Sequence, residues 1–464
     1  MTTQRSSVLP APPDEVSAWF ARPGAIRRLL PPWLPLKVIE EAGSLRGGTA
    51  ALGLPGGLRW YAQHKPSDYL ENRRFVDELQ ARGVRAAPTR VAHWRHEHLT
   101  EPAGSGHTTV TDRVSSNLPA TQIERMLDYR HRQLAADFAA HERASEAGLE
   151  PLTIAVTGSN GMVGTALCAF LSTGGHRVIK LVRRAPQSTD ERRWDPLAPE
   201  HDLLDDCDAV IHLAGTSIFG RFSDSHRQAI EASRIEPTRA LAELADRSGV
   251  SRFISASAIG IYGASAGAAP IDEQSPPEVG GADFLSGVVQ RWEQATGQGE
   301  TSMRRVQIRT GVVLSPSGGM LAVLRPIFAA GLGGRLGTGE QRLSWVGLDD
   351  LIDIYHRALW DTQLSGPVNA VSPHPVSNAE FTSALAKALR RPAIIPVPAA
   401  APKLLLGTQG AKLLAMADQQ VVPQKLLDAA HHFRFAQIEQ TLAHCLGSPT
   451  RGDRAEANSL PSRP

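Results

Sequence analysis

Two kinds of hydrophobic pattern divide this chain. Between residues 36 and 118, short apolar stretches alternate with polar positions and are separated by glycine pairs and turn residues. They cover 36–42, 47–54, 58–65, 75–79, 90–100 and 107–118. A period of two over such lengths predicts antiparallel strands with one buried face. Ahead of them lies a short helical pattern, with Asp14 as its expected cap and Val16, Trp19 and Phe20 as its stripe. After them Pro119 opens a long one, in which Ile123, Met126, Leu127, Leu134 and Phe138 fall on one face. A short helix, a run of strands and a long helix predict an α+β unit over residues 1–148.

Beyond Pro151 the pattern changes. Continuous apolar runs at 152–156, 177–182, 208–215, 252–257 and 306–314 alternate with helical stretches, one of them a single long helix over 223–247. This predicts an α/β unit over 152–446, with a parallel sheet and helices on both faces. Ligands of such sheets sit at the carboxyl ends of the strands. There the chain places Leu213, Ala214 and Gly215, then Ser255, Ala256 and Ser257, then Arg309, Thr310 and Gly311.

The first run leads into Thr157-Gly158-Ser159-Asn160-Gly161-Met162-Val163-Gly164. A helix through Leu167, Phe170 and Leu171 follows, ended by Gly174-Gly175, and then the second run. A strand, glycine turn, helix and strand within about 30 residues is the setting of a dinucleotide fingerprint. Gly158 permits the tight turn, Gly161 lets backbone approach a pyrophosphate, and Gly164 lets the helix pack closely. The helix N-terminus, with Ser159, Asn160, Met162 and Val163, offers N–H groups to phosphate. Cofactor type is read after the second strand, where an acid selects NAD and arginine accommodates the 2′-phosphate of NADP. Here stand Arg183 and Arg184, with no acid before Asp190, so NADP is expected.

Composition narrows the class. Of 464 residues, 49 are Lys or Arg and 47 Asp or Glu, a net charge of +2 that excludes nucleic-acid binding through bulk charge. The 41 glycines and 33 prolines mark a loop-rich globular chain, with loops near 315–340 expected to close over the cofactor. Three widely spaced cysteines, Cys168, Cys207 and Cys445, exclude a disulfide scaffold and point to a reducing compartment. No run is long and apolar enough to span a bilayer, and the N-terminus has no apolar signal core, so the cytoplasm is expected. The tail from 450 is polar and expected to be disordered.

Several of these stretches carry family resemblances. The first unit is similar to START-like (SRPBCC, polyketide cyclase/dehydrase) domains, through the segments 21–33 and 129–138 and its order of elements. That implies a helix-grip fold enclosing a cavity for a small apolar ligand, and Trp19, Trp33, Trp60 and Trp94 are candidates to line its core or cavity. The second unit resembles extended short-chain dehydrogenases/reductases, most closely an atypical epimerase-like branch of the YfcH/SDR39U type. The motifs are TGSNGMVG at 157–164, VIHLAGTSI at 210–218, SRIEPTR at 233–239, SASAIGIYG at 255–263, RTGVVLSPSGGML at 309–321 and GLGGRLGTGEQRLSW at 331–345. The resemblance implies a Rossmann doubly wound sheet binding NADP, with a small C-terminal substrate region over about 370–446. The activity implied is that of an oxidoreductase or nucleoside-diphosphate-sugar epimerase acting on a small molecule.

The standard catalytic set of short-chain dehydrogenases is a Ser, a Tyr and a Lys four residues beyond that Tyr. Ser257 matches the Ser. The stretch 282–293 holds neither Tyr nor Lys: Phe284 or Leu285 and Val288 or Val289 stand there, and none of these can move a proton. Tyr262 is the substitute acid on offer. Arg309 is free to meet either an anionic substrate group or a carboxylate neighbour. Gly347 replaces a His frequent in the family, and Asp349-Asp350 reads as a helix cap. The lost pair keeps a second reading open, a regulatory or cell-division-related NADP-binding protein with little turnover. His96 and His98 share a strand face near His93 but lack an obvious carboxylate in register. No metal is expected there, nor at His431-His432.

Overall fold

The computed structural model describes residues 1–264, 269–278, 283–297, 302–398 and 400–448. The tail at 450–464 and Ala282, the first residue of the stretch searched for Tyr and Lys, lie outside the described residues. Two compact units emerge, one of Met1–Pro151 with Cys168–His176, the other of Leu152–Leu167 with Arg177–Pro464.

The first unit is built on seven antiparallel strands: β1 (Thr2–Leu9), β2 (Lys37–Glu40), β3 (Thr49–Gly53), β4 (Arg59–His64), β5 (Arg74–Gln80), β6 (Trp94–Gly104) and β7 (His107–Ser116), in the order β1-β7-β6-β5-β4-β3-β2. Helices α1 (Pro13–Ala21) and α2 (Ala25–Leu29) follow β1, and α3 (Ala120–Glu146) follows β7. β1 has no counterpart among the expected strands. Its sequence TTQRSSVL is polar because it is a largely exposed edge strand, and its hydrogen bonds go to β7. Asp14 does not cap α1. The cap position is Pro12 without a side-chain bond, Pro13 opens the helix, and Asp14 sits in the first turn, where its charge suits the helix dipole. The stripe of α3 is buried at Ile123, Leu127, Leu134 and Phe138. The same helix also buries Asp137, which takes a bidentate ion pair from Arg28 at 2.8 and 2.7 Å.

The second unit carries a parallel sheet ordered β10-β9-β8-β11-β12-β13-β17. Its strands are β8 (Thr153–Thr157), β9 (Arg177–Val182), β10 (Glu191–Arg193), β11 (Ala209–His212), β12 (Arg252–Ala258), β13 (Arg304–Thr310) and β17 (Gly366–Ala370). Counted from β8, the order is 3-2-1-4-5-6 with a seventh strand added, the doubly wound dinucleotide-binding arrangement. Its helices are α4 (Met162–Thr173), α5 (Asp224–Ala232), α6 (Ile235–Arg247), α7 (Phe284–Gln294) and α9 (Leu348–Trp360). The single helix expected over 223–247 is two. A continuous helix would set the Pro237 ring against the Ser233 carbonyl, so α5 ends at Ser233 and Pro237 falls in the first turn of α6.

A C-terminal region adds β14 (Val312–Leu314) paired with β16 (Trp345–Gly347), and β15 (Arg342–Leu343) paired with β18 (Val376–Ser377). Helices α8 (Gly319–Ala329), α10 (Asn378–Leu389) and α13 (Ile438–Leu446) pack with them around Leu314, Trp345, Phe381 and Leu442. The segment 315–340 is thus not simply loop, because Leu321 and Phe328 anchor α8 in this core. Asp349 and Asp350 do not cap α9. They lie in its first turn after Gly347, and Asp350 accepts the Arg434 N–H at 2.6 Å. Burial, aided by Asp353, raises the Asp350 carboxyl to about 7. Among the described residues no helix is long and apolar enough to cross a membrane. The three cysteines are buried, and none forms a disulfide.

Candidate functional site

The carboxyl edge of the parallel sheet is aligned by register. Thr157 pairs with His212 and His212 with Ser255, so the turns after β8 and β11 lie side by side, level with Ser255 in β12, which runs on to Ala258. Thr157 Oγ1 ties the first two together, accepting the Leu213 and Ala214 N–H groups at 3.0 and 3.1 Å and contacting His212 Nδ1 at 2.8 Å. With both lone pairs taken, the hydroxyl proton must go to Nδ1, so His212 is neutral. Burial, reinforced by the Arg234 guanidinium, pushes its pKa down to about 4.

The glycine turn is a cradle that side chains would fill. Gly158 has φ +66°, and a Cβ there would sit 2.8 Å from the Leu213 carbonyl. A Cβ on Gly164 would run into the Gly158 carbonyl oxygen. Gly161 donates its N–H to that same oxygen at 3.0 Å. Ser159 is buried, Asn160 exposed, and Met162 and Val163 open α4 half-buried. This geometry fits a pyrophosphate, with backbone and the α4 N-terminus facing it.

A buried chain of polar groups lies further along the edge. Ser257 Oγ donates to Glu293 Oε1 at 2.5 Å. Glu293 takes both arms of Arg309, Nε and Nη2, at 2.8 Å each. Arg309 Nη1 donates to Tyr262 Oη at 2.8 Å. The Tyr262 proton has two acceptors, Asn369 Oδ1 at 2.9 Å and the Asp272 carbonyl at 3.0 Å. Burial raises the Tyr262 pKa despite Arg309, so Tyr262 is a neutral donor. Burial opposes the charge on Arg309, but the Glu293 carboxylate outweighs it. Of the two roles open to Arg309, the carboxylate neighbour is the one seen.

The chain matches the NAD dependent epimerase/dehydratase family over residues 154–370, and a domain of unknown function, DUF1731, over 397–445. Epimerase family protein Mb2239 of Mycobacterium bovis is 39% identical over 300 residues, covering 64% of this chain and 98% of that one. The chain belongs to the epimerase family. The crystal structure of a nucleoside-diphosphate sugar epimerase from Corynebacterium glutamicum is 42% identical, with a TM-score of 0.83, over 98% of this chain and 92% of that one. Human epimerase family protein SDR39U1, solved with NADPH, is 32% identical, with a TM-score of 0.60, over 64% and 99%.

In this epimerase-family chain the remaining candidates fall as follows. Arg183 and Arg184 are exposed just past β9, but Arg184 is held by both oxygens of Glu191 at 2.7 Å. Gly215 packs against Arg234, whose guanidinium a Cβ would meet at 3.0 Å. Ser255 and Ala256 lie within β12, and the Ser255 hydroxyl is used by the Ala256 carbonyl at 3.0 Å. At the positions searched for Tyr and Lys, Leu285, Val288 and Val289 are buried in the core.

Sequence reasoning missed Glu293, Asn369 and Arg234. Arg234 lies in the motif at 233–239. It donates to the Thr216 and Ile230 carbonyls at 2.9 and 3.2 Å and sits over Trp292 at 5.1 Å. Burial lowers its pKa to about 10, and no carboxylate pairs with it among the described residues.

The first unit holds a cavity of about 550 Å³ lined by Leu29, Leu52, Trp60, Trp94 and Ile123 among others. Trp19 is buried in the core instead, and Trp33 packs edge-on against Tyr129. One wall is polar and includes Asp77, His96 and His98. The expectation that His96 and His98 lack a carboxylate in register is corrected. Asp77 on β5 pairs with His96, and Asp112 on β7 pairs with His98.

Proposed function

We propose that this epimerase-family chain is an NADP-dependent oxidoreductase or nucleoside-diphosphate-sugar epimerase-like enzyme acting on a small molecule. The observation that carries this reading is the cradle at 158–164, in which two glycines admit no Cβ, set on a sheet ordered 3-2-1-4-5-6. The NADPH bound by human SDR39U1 and the description of the Corynebacterium glutamicum relative support it. When bound, NADP supplies the exchange of a hydride with the substrate. Gly158, Ser159, Asn160, Gly161, Met162, Val163 and Gly164 would hold the pyrophosphate. The turn Leu213-Ala214-Gly215 and the strand residues Ser255 and Ala256 would floor the site. Arg183, with Arg184 once released from Glu191, would take the 2′-phosphate.

On the substrate side Ser257 and Tyr262 are the candidate catalytic donors. Glu293 orients the Ser257 hydroxyl, and the Arg309 N–H polarises the Tyr262 oxygen, so that its proton is the more readily shared. The test is an NADPH titration followed by substrate-dependent oxidation across carbonyl and sugar-nucleotide panels, with Ser257→Ala as control. Tight binding without any turnover that depends on Ser257 would favour the second reading, an NADP-binding protein with little catalysis. That reading draws on the committed protons of Ser257 and Tyr262 and on the absent Tyr–Lys pair of α7.

For residues 1–148 we propose a START-like helix-grip domain holding a small apolar ligand, ahead of the cofactor domain at 152–446. A seven-stranded antiparallel sheet, a 27-residue helix and a mainly apolar cavity support it. Three buried cysteines outside any disulfide are compatible with the cytoplasm.

A further inference from the structure

We propose that the first unit binds a divalent transition-metal ion of the zinc class between Asp77, His96 and His98, on the polar wall of its cavity. The three side chains converge because the register of β5 and β6 sets Asp77 opposite His96, and His98 lies two residues on, on the same face. Asp77 Oδ2 lies 3.6 Å from His96 Nδ1 and 3.6 Å from His98 Nε2. One ligand atom from each of the three residues falls within 4.8 Å of the others. At 3.6 Å these are not hydrogen bonds. They are close to the edge of about 3.4 Å expected for a tetrahedron whose metal–ligand bonds are about 2.1 Å.

The surroundings are those of a metal site rather than of a polar cluster closed on itself. His98 Nδ1 contacts Asp112 Oδ1 at 2.6 Å. A proton shared there leaves the Nε2 lone pair facing Asp77, the carboxylate–histidine arrangement that orients metal ligands. Asp112 is itself held by Arg130 Nε at 3.1 Å, and the His98 ring is stacked on Phe75 at 4.0 Å. Asp77 Oδ1 accepts the Trp94 indole N–H at 3.2 Å, so Oδ2 is the oxygen left to coordinate. His96 Nε2 is buried without a hydrogen-bond partner and lies 3.5 Å from Asp112 Oδ2. A metal on Nδ1 would place the His96 proton on Nε2, directed at that carboxylate. The three ligand residues are 9%, 4% and 3% exposed, and all line the cavity. Two imidazoles and a carboxylate suit zinc, cobalt or ferrous ions. A fourth position would face the cavity and take water or an oxygen donor of a ligand.

The test uses the untagged full chain, stripped with a chelator and titrated with cobalt(II). The expected result is one equivalent bound with the strong visible absorption of a four- or five-coordinate ion, displaced by one equivalent of zinc. Asp77→Asn combined with His98→Gln should abolish that absorption. Asp112→Asn, at a positioning residue, should weaken binding about 10- to 100-fold. The exposed His93→Ala should change nothing. Wild-type NMR provides a check that needs no variant, since zinc should shift the imidazole signals of His96 and His98. Unshifted imidazoles, or cobalt binding equal in wild type and the double variant, would overturn the proposal.

Discussion

The candidate sites of the two units leave different groups open. In the parallel-sheet unit the polar side chains near the carboxyl edge satisfy one another, Ser257 to Glu293, Glu293 to Arg309, Arg309 to Tyr262. What stays open is backbone, the glycine turn at 158–164. In the antiparallel unit the backbone is consumed by a seven-stranded ladder, and the open groups are side chains on the cavity wall. A site made by backbone depends on which residues have no Cβ. A site made by side chains depends on which strands are neighbours.

That contrast can be broken most forcefully at a buried ion pair chosen from each unit. Asp137→Ala and Glu293→Ala each take the carboxylate from a buried guanidinium, and each should cost about 3–5 kcal/mol in denaturant unfolding. A loss below 1 kcal/mol at either position would mean that its arginine finds water. Next in size, Gly164→Ala should weaken NADPH binding at least tenfold, about 1.4 kcal/mol, because the added Cβ meets the Gly158 carbonyl. Unchanged affinity in a fluorescence titration would remove the glycine cradle from the cofactor site.

Asp350 gives a pH-dependent effect. Its folded pKa of about 7 stands above the ordinary carboxylate value of 3.8. The folded state therefore holds a proton that the unfolded state releases, and stability falls as pH rises from about 4 to about 7. Asp350→Asn should raise the melting temperature by several degrees at pH 8, at about 2–4 °C per kcal/mol, and by almost nothing at pH 4. Equal shifts at both pH values would show that the carboxyl is ionised throughout. Smallest, Arg183→Ala with Arg184→Ala should weaken NADPH more than NADH, by roughly tenfold or 1.4 kcal/mol. Equal losses would mean that neither arginine reads the 2′-phosphate.

The same contrast explains what could be read before the fold was known. The glycine cradle is seven consecutive residues, so its chemistry and spacing are visible in one line. The doubly wound sheet is legible because its central strands β8, β9, β11, β12 and β13 fall on the apolar runs, whereas the edge strands β10, ERR, and β17, GPVNA, carry no such run. The wall of Asp77, His96, His98 and Asp112 draws on three strands, and its carboxylates come into view only when the register is known. Glu293 escaped notice for a related reason, since it reaches Ser257 and Arg309 only when α7 packs beside β12 and β13. β1 is not legible because an edge strand needs no apolar alternation, and the break in the helical stretch over 223–247 is marked by Pro237 alone.

The pairing of β1 with β7 sets an order of events on the ribosome. Thr2 must find Ser115 and Leu9 must find Thr108, so the first strand made is the last in its sheet to gain its partner. At about 5–20 residues per second, it waits roughly 5–20 s for the chain to reach β7. The parallel sheet has no such delay at its start, since β8 meets β9 after one helix. Nascent chains paused before residue 107 should therefore carry an unpaired strand at their amino end, the kind of edge that recruits other chains. A holdase or slower initiation would act on the antiparallel unit first.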